Sequence, residues 1–270
     1  MDRMAQRKMV PVVLVSTTYF GPIQWYQKLY RYDRVLIEQH ESWQKQSYRN
    51  RCIIATTQGV QALTVPIEHS PLNNDHSECT ANNVQGSTFN IQSIKISDHG
   101  NWRHLHWQAI QSAYGESPFF EYYEDDLRPF FTERNWELLI DFNDAICQKM
   151  CELLDIHPHI ERTTQFFPST SGNPVGFPLP SDSGAPVGTP LFSVNGNPVG
   201  TPLPSRGGVR GGVCNFKDFR DIINPKHPLP DPDFTPRPYY QVYAQKHGFL
   251  PNLSILDLLL NMGPESIFFL

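Results

Sequence analysis

Short apolar runs and polar turns alternate in the N-terminal part of the chain. The continuous apolar run from Val10 to Val15 is typical of a strand covered on both faces. Apolar and aromatic side chains then recur at helical spacing from Ile23, and Val35 to Ile37 form a second short apolar run. The order strand, loop, helix, strand predicts a parallel βαβ unit.

Further strands are predicted beyond this unit. Cys52 to Ala55 and Ala62 to Ile67 flank the turn Thr57-Gln58-Gly59, a pattern that indicates a hairpin at an antiparallel edge. The apolar positions from Gln92 to Ile96 alternate, which predicts another strand.

Three longer segments have helical periodicity. They are Trp102 to Tyr114, Asn135 to Leu154, and a C-terminal segment from Asn252 that Gly263-Pro264 would end. The pattern therefore predicts an α/β fold with a mixed, mostly parallel sheet flanked by helices.

A tandem repeat interrupts this pattern between Ser169 and Pro204. It reads STSGNPVGFPLP, SDSGAPVGTPLF and SVNGNPVGTPLP, with no helix or strand period. A unit so rich in proline and glycine has little apolar surface to bury, so we expect residues 169–238 to be a flexible, disordered insertion. Residues 9–168 would be the first part of one α/β domain, and residues 239–270 would complete it. Met9 is a possible alternative start, which would make residues 1–8 an appendage.

Composition limits the classes of partner. The net charge of −5 provides no basic field for nucleic acid, and no apolar run is long enough to cross a bilayer. Two arginines in a short RGG-like stretch after the repeat leave an RNA contact as a minor alternative. The five cysteines lack disulfide or metal-site spacing, which favours a reducing cytoplasm. No metal, cofactor or oligomeric state is indicated.

The densest polar stretch follows the second predicted strand, where α/β sheets gather their ligands. Glu38 and His40 are candidates for moving a proton. Basic and amide side chains suited to a phosphate or carboxylate come next, and two aromatic residues between them offer stacking surfaces; this substrate-binding set is Trp43, Lys45, Tyr48, Arg49, Asn50 and Arg51. The alternative is a solvated loop with salt bridges.

Two other places could contribute to a site. His104 and His106 are two residues apart on a predicted helix and so diverge, but His106 alone could act as an acid or base. Tyr19 lies in the loop after the first strand, where the start of the next helix could hold an anion. The chain has no GxGxxG, GxxxxGK[ST] or GxSxG motif.

Several of these segments resemble the WbqC-like protein family. They are STTYFGPIQWY, IEQHESWQKQSYRNRC, ALTVPIEH, the stretch from Trp102 through SPFFEYY, and PNLSILDLLLNMGP. The resemblance extends over about residues 10–166 and 239–264 and leaves the repeat outside it. The family's name derives from O-antigen gene clusters, so the resemblance implies a cytoplasmic role in surface-polysaccharide, including lipopolysaccharide, biosynthesis.

Two functions from different classes follow. The first is a transferase that moves an acyl or aminoacyl group to an amino sugar nucleotide; Lys45, Arg49 and Arg51 would bind phosphates, and Glu38, His40 or His106 would be the base. Tyr19, Trp43 and Tyr48 would supply stacking surfaces. The second is a noncatalytic binding or assembly protein of the polysaccharide machinery, with the repeat as a tether or a ligand for a partner.

Overall fold

A five-stranded sheet organises the described part of the chain. The computed structural model describes residues 12–68, 90–133, 135–168, 176–177 and 214–270. The strands of this sheet are β1 (Val12–Ser16), β2 (Arg34–Glu38), β5 (His159–Arg162), β6 (Gly176–Phe177) and β7 (Cys214–Asp218), in the order β5-β2-β1-β7-β6. All neighbours are parallel except β6, which pairs antiparallel with β7. The predicted mixed, mostly parallel α/β sheet is confirmed.

The predicted hairpin is present, but it does not form an edge of this sheet. Strands β3 (Arg51–Thr56) and β4 (Gly59–Thr64) make a separate two-stranded sheet. The edge expectation was wrong because the backbone of β3 pairs with β4, while the two outer positions of the main sheet are taken by β5 and β6.

Helices surround both sheets. They are α1 (Ile23–Arg31), α2 (Trp102–Tyr114), α3 (Phe120–Leu127), α4 (Pro129–Thr132), α5 (Leu139–Leu153), α6 (Ala244–His247) and α7 (Ile255–Met262). The unit β1-α1-β2 is the predicted parallel βαβ unit. Among the described residues, no helix combines the length and apolar composition that would span a membrane.

The strand predicted from Gln92 to Ile96 is not formed. Ile91–Ser93 is a short 3-10 helix, because the side chain of Asn90 accepts a hydrogen bond from the Gln92 amide at 3.1 Å and Ser93 bonds back to the Asn90 carbonyl. Such local bonds compete with strand pairing. Lys95 and Ile96 make only isolated bridges within the described chain.

The C-terminal helix lies at the centre of the core. Helix α7 is buried from Ile255 to Asn261, and Ser254 caps it through a bond from the Leu256 amide. The Ser254 hydroxyl also donates to the carbonyl of Phe20 at 2.8 Å. Gly263 ends the helix with a positive φ, and a Cβ there would come within 2.5 Å of the Phe119 ring. The end of the chain is therefore an integral part of the core.

The region predicted as an insertion is partly described. Its repeats lie almost entirely in residues 169–175 and 178–213, outside the described residues, as do residues 1–11. Residues 214–218, within the predicted boundaries, form β7 beside the central strand β1. The proline-rich stretch that follows contacts the body of the fold through two carboxylates: Asp231 pairs with buried Lys28, and Asp233 pairs with Lys217, each at 2.7 Å.

Candidate functional site

The carboxyl ends of β1, β2 and β7 meet at one edge of the sheet. Strand β1 has β2 on one side and β7 on the other, so the backbone leaving β1 enters a switch point, where open α/β sheets bind ligands. A cavity of about 240 Å³, including its opening, lies there. Its lining consists of Val15, Ser16, Thr17, Thr18, Trp25, Tyr48, Arg49, Phe219, Arg220 and Ile223.

Arg49 forms one charged wall of this cavity. Its side chain is 4% exposed and makes a two-pronged ion pair with Glu41, with Nε–Oε1 at 2.7 Å and Nη2–Oε2 at 2.5 Å. Nη2 also donates to the hydroxyl of Ser16 and Nη1 donates to the side chain of Gln44. The Ser16 hydroxyl in turn donates to Glu41 at 3.0 Å. These bonds fix the guanidinium plane relative to the end of β1.

Arg220 forms the other charged wall. Its side chain is 3% exposed, and it grips Asp218 at the end of β7 through Nε and Nη2, at 2.9 and 2.6 Å. Nη1 lies 3.4 Å from Glu38 at the end of β2. Burial opposes the charge on Arg220, but the bonds to Asp218 and the charges of Asp218, Glu38 and Glu41 raise its pKa above the ordinary value. Arg220 therefore stays charged.

Glu38 bonds to the segments that follow β2, β5 and β7. It is fully buried, and its Oε1 accepts from the His40 amide at 2.8 Å and the Thr163 hydroxyl at 2.7 Å. Its Oε2 accepts from the Phe167 amide at 3.0 Å. With these donors and Arg220, both oxygens of Glu38 are occupied by protein groups.

The two arginines line the cavity and do not use all of their N–H bonds in contacts within the described chain. A guanidinium has five N–H bonds, so the pair has ten. Contacts within the described chain use four on Arg49 (one from Nε, one from Nη1, two from Nη2) and three on Arg220 (one each from Nε, Nη1 and Nη2), seven in all. Three of the ten N–H bonds are therefore not used in these contacts. We call this set the Arg49–Arg220 cluster: Glu38, Glu41, Arg49, Asp218 and Arg220.

The remaining walls are aromatic and hydroxylic. The Trp25 indole donates to the Ser16 carbonyl at 2.9 Å, which holds the end of β1 against helix α1. Burial raises the pKa of Tyr48 to about 12, so its phenol is neutral at physiological pH. The cavity thus combines cationic N–H donors, hydroxyl groups and aromatic surface.

Of the predicted catalytic residues, Glu38 contacts Arg220 in the cavity wall, and His40 contacts Glu38 through its backbone amide; neither is among the residues that line the cavity. The ring Nε2 of His40 lies 3.2 Å from the Thr163 carbonyl, and since a carbonyl only accepts, Nε2 carries the hydrogen. That assignment leaves Nδ1 of the neutral ring as an acceptor. His40 is half-buried, so it can contact solvent.

His106 and Tyr19 lie in the core instead. The Tyr19 hydroxyl and His106 Nδ1 are 2.9 Å apart, and both residues are buried. Burial lowers the pKa of His106 to about 4, against the opposing effect of a bond to the Thr64 backbone. Neither residue lines the cavity, so the structure does not bring His106 together with Arg49 and Arg220.

Some of the other predicted binding residues line the cavity, and the rest lie elsewhere. Tyr48 and Arg49 line the cavity. Lys45 is exposed, and Trp43 is half-buried against the core. Asn50 is buried and donates to the Val65 carbonyl, and Arg51 bonds to the Thr64 hydroxyl from strand β3. These four residues are not among those lining the cavity.

Sequence reasoning missed the residues that β7 contributes. Asp218 and Arg220 follow the glycine-rich stretch after the repeat, within the boundaries predicted for the insertion. A weak signal was present, because the apolar residues Phe216 and Phe219 stand among charged residues at the end of a short strand. Its weight was small beside the proline and glycine around it.

The start of helix α1 does not offer the anion site considered for it. The Ile23 amide donates to the Leu253 carbonyl at 3.0 Å, and the Gln24 amide donates to the Asn252 side chain at 2.9 Å. These N–H groups are already used by the C-terminal segment. Within the described ranges, no group of three or more His, Cys, Asp or Glu side chains is arranged to hold a metal ion.

Comparisons with known proteins identify a family and a distant relative of the chain. The model of the WbqC-like protein family matches residues 17–174. The uncharacterized protein Rv1507c of Mycobacterium tuberculosis is 23% identical over 158 residues, which are 58% of this chain and 62% of that protein. The match therefore spans less than two thirds of the relative. No solved structure matches the chain. Arg49 falls within the family match and Arg220 lies beyond it.

Proposed function

The chain belongs to the WbqC-like protein family, and we propose that it binds a sugar nucleotide through the cavity beside the Arg49–Arg220 cluster. One observation carries this proposal: two buried arginines from distant parts of the chain converge on a cavity at the carboxyl edge of a parallel sheet. Guanidinium N–H groups and hydroxyls are suited to phosphate oxygens.

The energetics of burial support a role in binding. Removing charged groups from water is costly, and apolar side chains of similar volume often stabilise a core as well as a buried ion pair does. The fold nevertheless buries two arginines against three carboxylates at this edge. Since some of their N–H bonds are not used within the described chain, we infer that the arginines are buried here because they bind a ligand.

The size of the cavity limits what enters it. The space inside it that a water-sized sphere can enter is about 10 Å³, far below the 300–1,000 Å³ of typical small-molecule sites. We therefore expect phosphate oxygens to contact Arg49 and Arg220 from the opening of the cavity, while the base and sugar extend along the edge of the sheet.

The proposed reaction is acyl or aminoacyl transfer to an amino sugar nucleotide in the cytoplasm, a role in surface-polysaccharide biosynthesis that the family resemblance implies. The acceptor nitrogen attacks the acyl carbon of an activated ester or thioester donor and forms an amide C–N bond. The C–O or C–S bond of the donor breaks, and its electron pair leaves with the oxygen or sulfur. The nitrogen loses a proton, which His40 Nδ1 accepts.

His40 suits the role of base better than the other two candidates. Its Nε2–H is directed to the Thr163 carbonyl, which orients the ring and leaves Nδ1 able to accept a proton. Both oxygens of Glu38 are bonded within the protein, so Glu38 positions Arg220 and the His40 backbone. His106 is bonded to Tyr19 inside the core.

Isothermal titration calorimetry with uridine and thymidine diphosphate sugars tests the binding step. Loss of a charge-assisted hydrogen bond is expected to weaken affinity about 10- to 100-fold in Arg220→Gln, and Arg220→Lys should be intermediate because it lacks the planar fork. Arg128→Gln, a change at an exposed arginine between α3 and α4, is the matched control and should bind like wild type. Wild-type protein that binds none of these ligands would contradict the proposal.

A noncatalytic binding protein of the same machinery is the second candidate. It is favoured by the observation that Glu38 and His106 are held in bonds within the protein. Mass spectrometry of an amino sugar nucleotide incubated with acyl and aminoacyl thioesters separates the two. The transferase predicts an amide product, and a loss of rate of about 100-fold in His40→Asn with unchanged affinity. Tight binding with no product from any donor favours the binding protein.

A further inference from the structure

Phe166 is an exposed aromatic residue beside Arg220, which lines the cavity. It follows strand β5, and its side chain is 52% exposed. The Arg220 guanidinium lies 5.8 Å from the centroid of its ring. The next residue, Phe167, donates its amide to Glu38 at 3.0 Å, which anchors this part of the loop to the cluster.

An exposed phenylalanine alone carries little information, since much of any protein surface is apolar. The position of Phe166 is more specific, because one side of the ring contacts an arginine that lines the cavity while half of its surface stays open to solvent. Tyr19, which the sequence suggested as a stacking surface, is fully buried. Phe166 offers accessible aromatic surface beside the charged group expected to hold phosphate.

We propose that Phe166 is the stacking surface for the base of a nucleotide ligand whose phosphates lie against Arg220, an inference that rests on the proposed function. Stacked rings have centroids at least 4.5 Å apart, so a base on the open face would lie about 10 Å from the guanidinium. A ribose and one or two phosphates connect groups at that separation. The ligand class is therefore a nucleoside diphosphate or its sugar ester, in preference to a simple sugar phosphate.

Calorimetric titration of two probes, uridine diphosphate and inorganic pyrophosphate, tests this inference. Pyrophosphate supplies the charge without the base. In Phe166→Ala, the Kd for uridine diphosphate should rise about 5- to 150-fold, the range for loss of one base–aromatic stack, while the Kd for pyrophosphate stays within about twofold. Phe166→Leu should resemble Phe166→Ala, and Phe166→Trp should bind uridine diphosphate at least as tightly as wild type.

Tyr122→Ala is the matched control, because Tyr122 is an aromatic residue of α3 with 74% exposure and is not among the residues lining the cavity. Its affinities should equal those of wild type, and circular dichroism should show each variant folded. Unchanged affinity of Phe166→Ala for uridine diphosphate overturns this inference alone. An equal loss for both probes also overturns it, since Phe166 would then act by positioning Arg220. Wild-type protein that binds neither probe overturns the proposed function as well.

Discussion

The Arg49–Arg220 cluster and a second buried polar network around Asp257 differ in what surrounds their charges. Asp257, on helix α7, is 1% exposed and accepts hydrogen bonds from Tyr114 at 2.9 Å, Tyr239 at 2.5 Å and Gln241 at 3.0 Å. Burial raises the pKa of Asp257 above its ordinary value, and these three bonds oppose the rise. The network connects α7 to α2 and to the segment after the proline-rich stretch.

The two groups serve different purposes for a physical reason. Donors around Asp257 are directed at one acceptor inside the core, so the network contributes to stability and to the docking of the C-terminal segment. Arg49 and Arg220 line a cavity, and three of their N–H bonds are not used in contacts within the described chain. Buried charge that is saturated by protein groups therefore indicates a scaffold, and buried charge with remaining donors at a cavity indicates a ligand site.

The largest effect is expected from Asp257→Ala. Removing the carboxylate leaves the hydroxyls of Tyr114 and Tyr239 without their buried acceptor and removes one of the bonds of Gln241, which should lower the free energy of unfolding by about 3–5 kcal/mol. Urea denaturation followed by circular dichroism measures this loss. Asp257→Asn keeps an acceptor oxygen and should lose less. A loss below about 1 kcal/mol in Asp257→Ala would show that the network is not structural.

Arg49→Met should produce the next largest effect. Glu41 would remain buried without its partner, so the free energy of unfolding should fall by about 2–4 kcal/mol. The double variant Glu41→Leu/Arg49→Met replaces the pair with apolar side chains and should return to within about 1 kcal/mol of wild type. Affinity for uridine diphosphate should be lost in both variants. If the double variant binds this ligand like wild type, the contrast between the two networks fails.

A smaller effect concerns His106 and pH. Its pKa is about 4 in the folded protein and about 6.5 in the unfolded chain, so the unfolded state binds the extra proton between these values. The stability due to neutral His106 is therefore complete above pH 6.5 and is lost as pH falls toward 4, by about 2–3 kcal/mol.

His106→Gln removes this titration. Urea denaturation at several pH values should show a flatter dependence for the variant than for wild type between pH 4 and 6.5, while the variant is less stable at pH 7. Parallel curves for the two proteins would mean that His106 keeps its ordinary pKa, contrary to its buried position beside Tyr19.

The smallest effect is expected at Lys45. Its side chain is exposed and is not among the residues lining the cavity, so Lys45→Ala should change the Kd for uridine diphosphate by less than about threefold at physiological salt. Isothermal titration in low and high salt measures the change. A loss comparable to that of Arg220→Gln would place the phosphate on the loop instead of in the cavity.

Much of the fold was predictable from local patterns. Periodic apolar residues predicted the βαβ unit, the β3–β4 hairpin and helix α2, because burying those residues stabilises each of these elements. The strand expected from Gln92 to Ile96 does not form, because the Asn90 side chain accepts a hydrogen bond from the Gln92 amide and stabilises a 3-10 turn instead. Helix α5 begins at Leu139 and not at Asn135, since patterns locate the ends of elements less well than their presence.

The site was predictable in part. A polar, basic stretch after the second strand pointed to the carboxyl edge, and Arg49 and Tyr48 do line the cavity there. The same stretch did not distinguish Arg49 from Lys45 and Arg51, because side-chain direction in a loop depends on what packs around it. Arg49 is held inward by Glu41 and Ser16, whereas Arg51 lies on strand β3.

By itself, the sequence determined the α/β class, the parallel unit at its start and an apolar C-terminal helix, because these depend on periodicities within short windows. Only the tertiary structure decided that Arg220 joins Arg49 and that His106 lies in the core. Glu38 and Arg220 are 182 positions apart and meet because β7 pairs with β1 on the side opposite β2. Strand order across a sheet depends on the packing of the whole chain, and no local pattern specifies it.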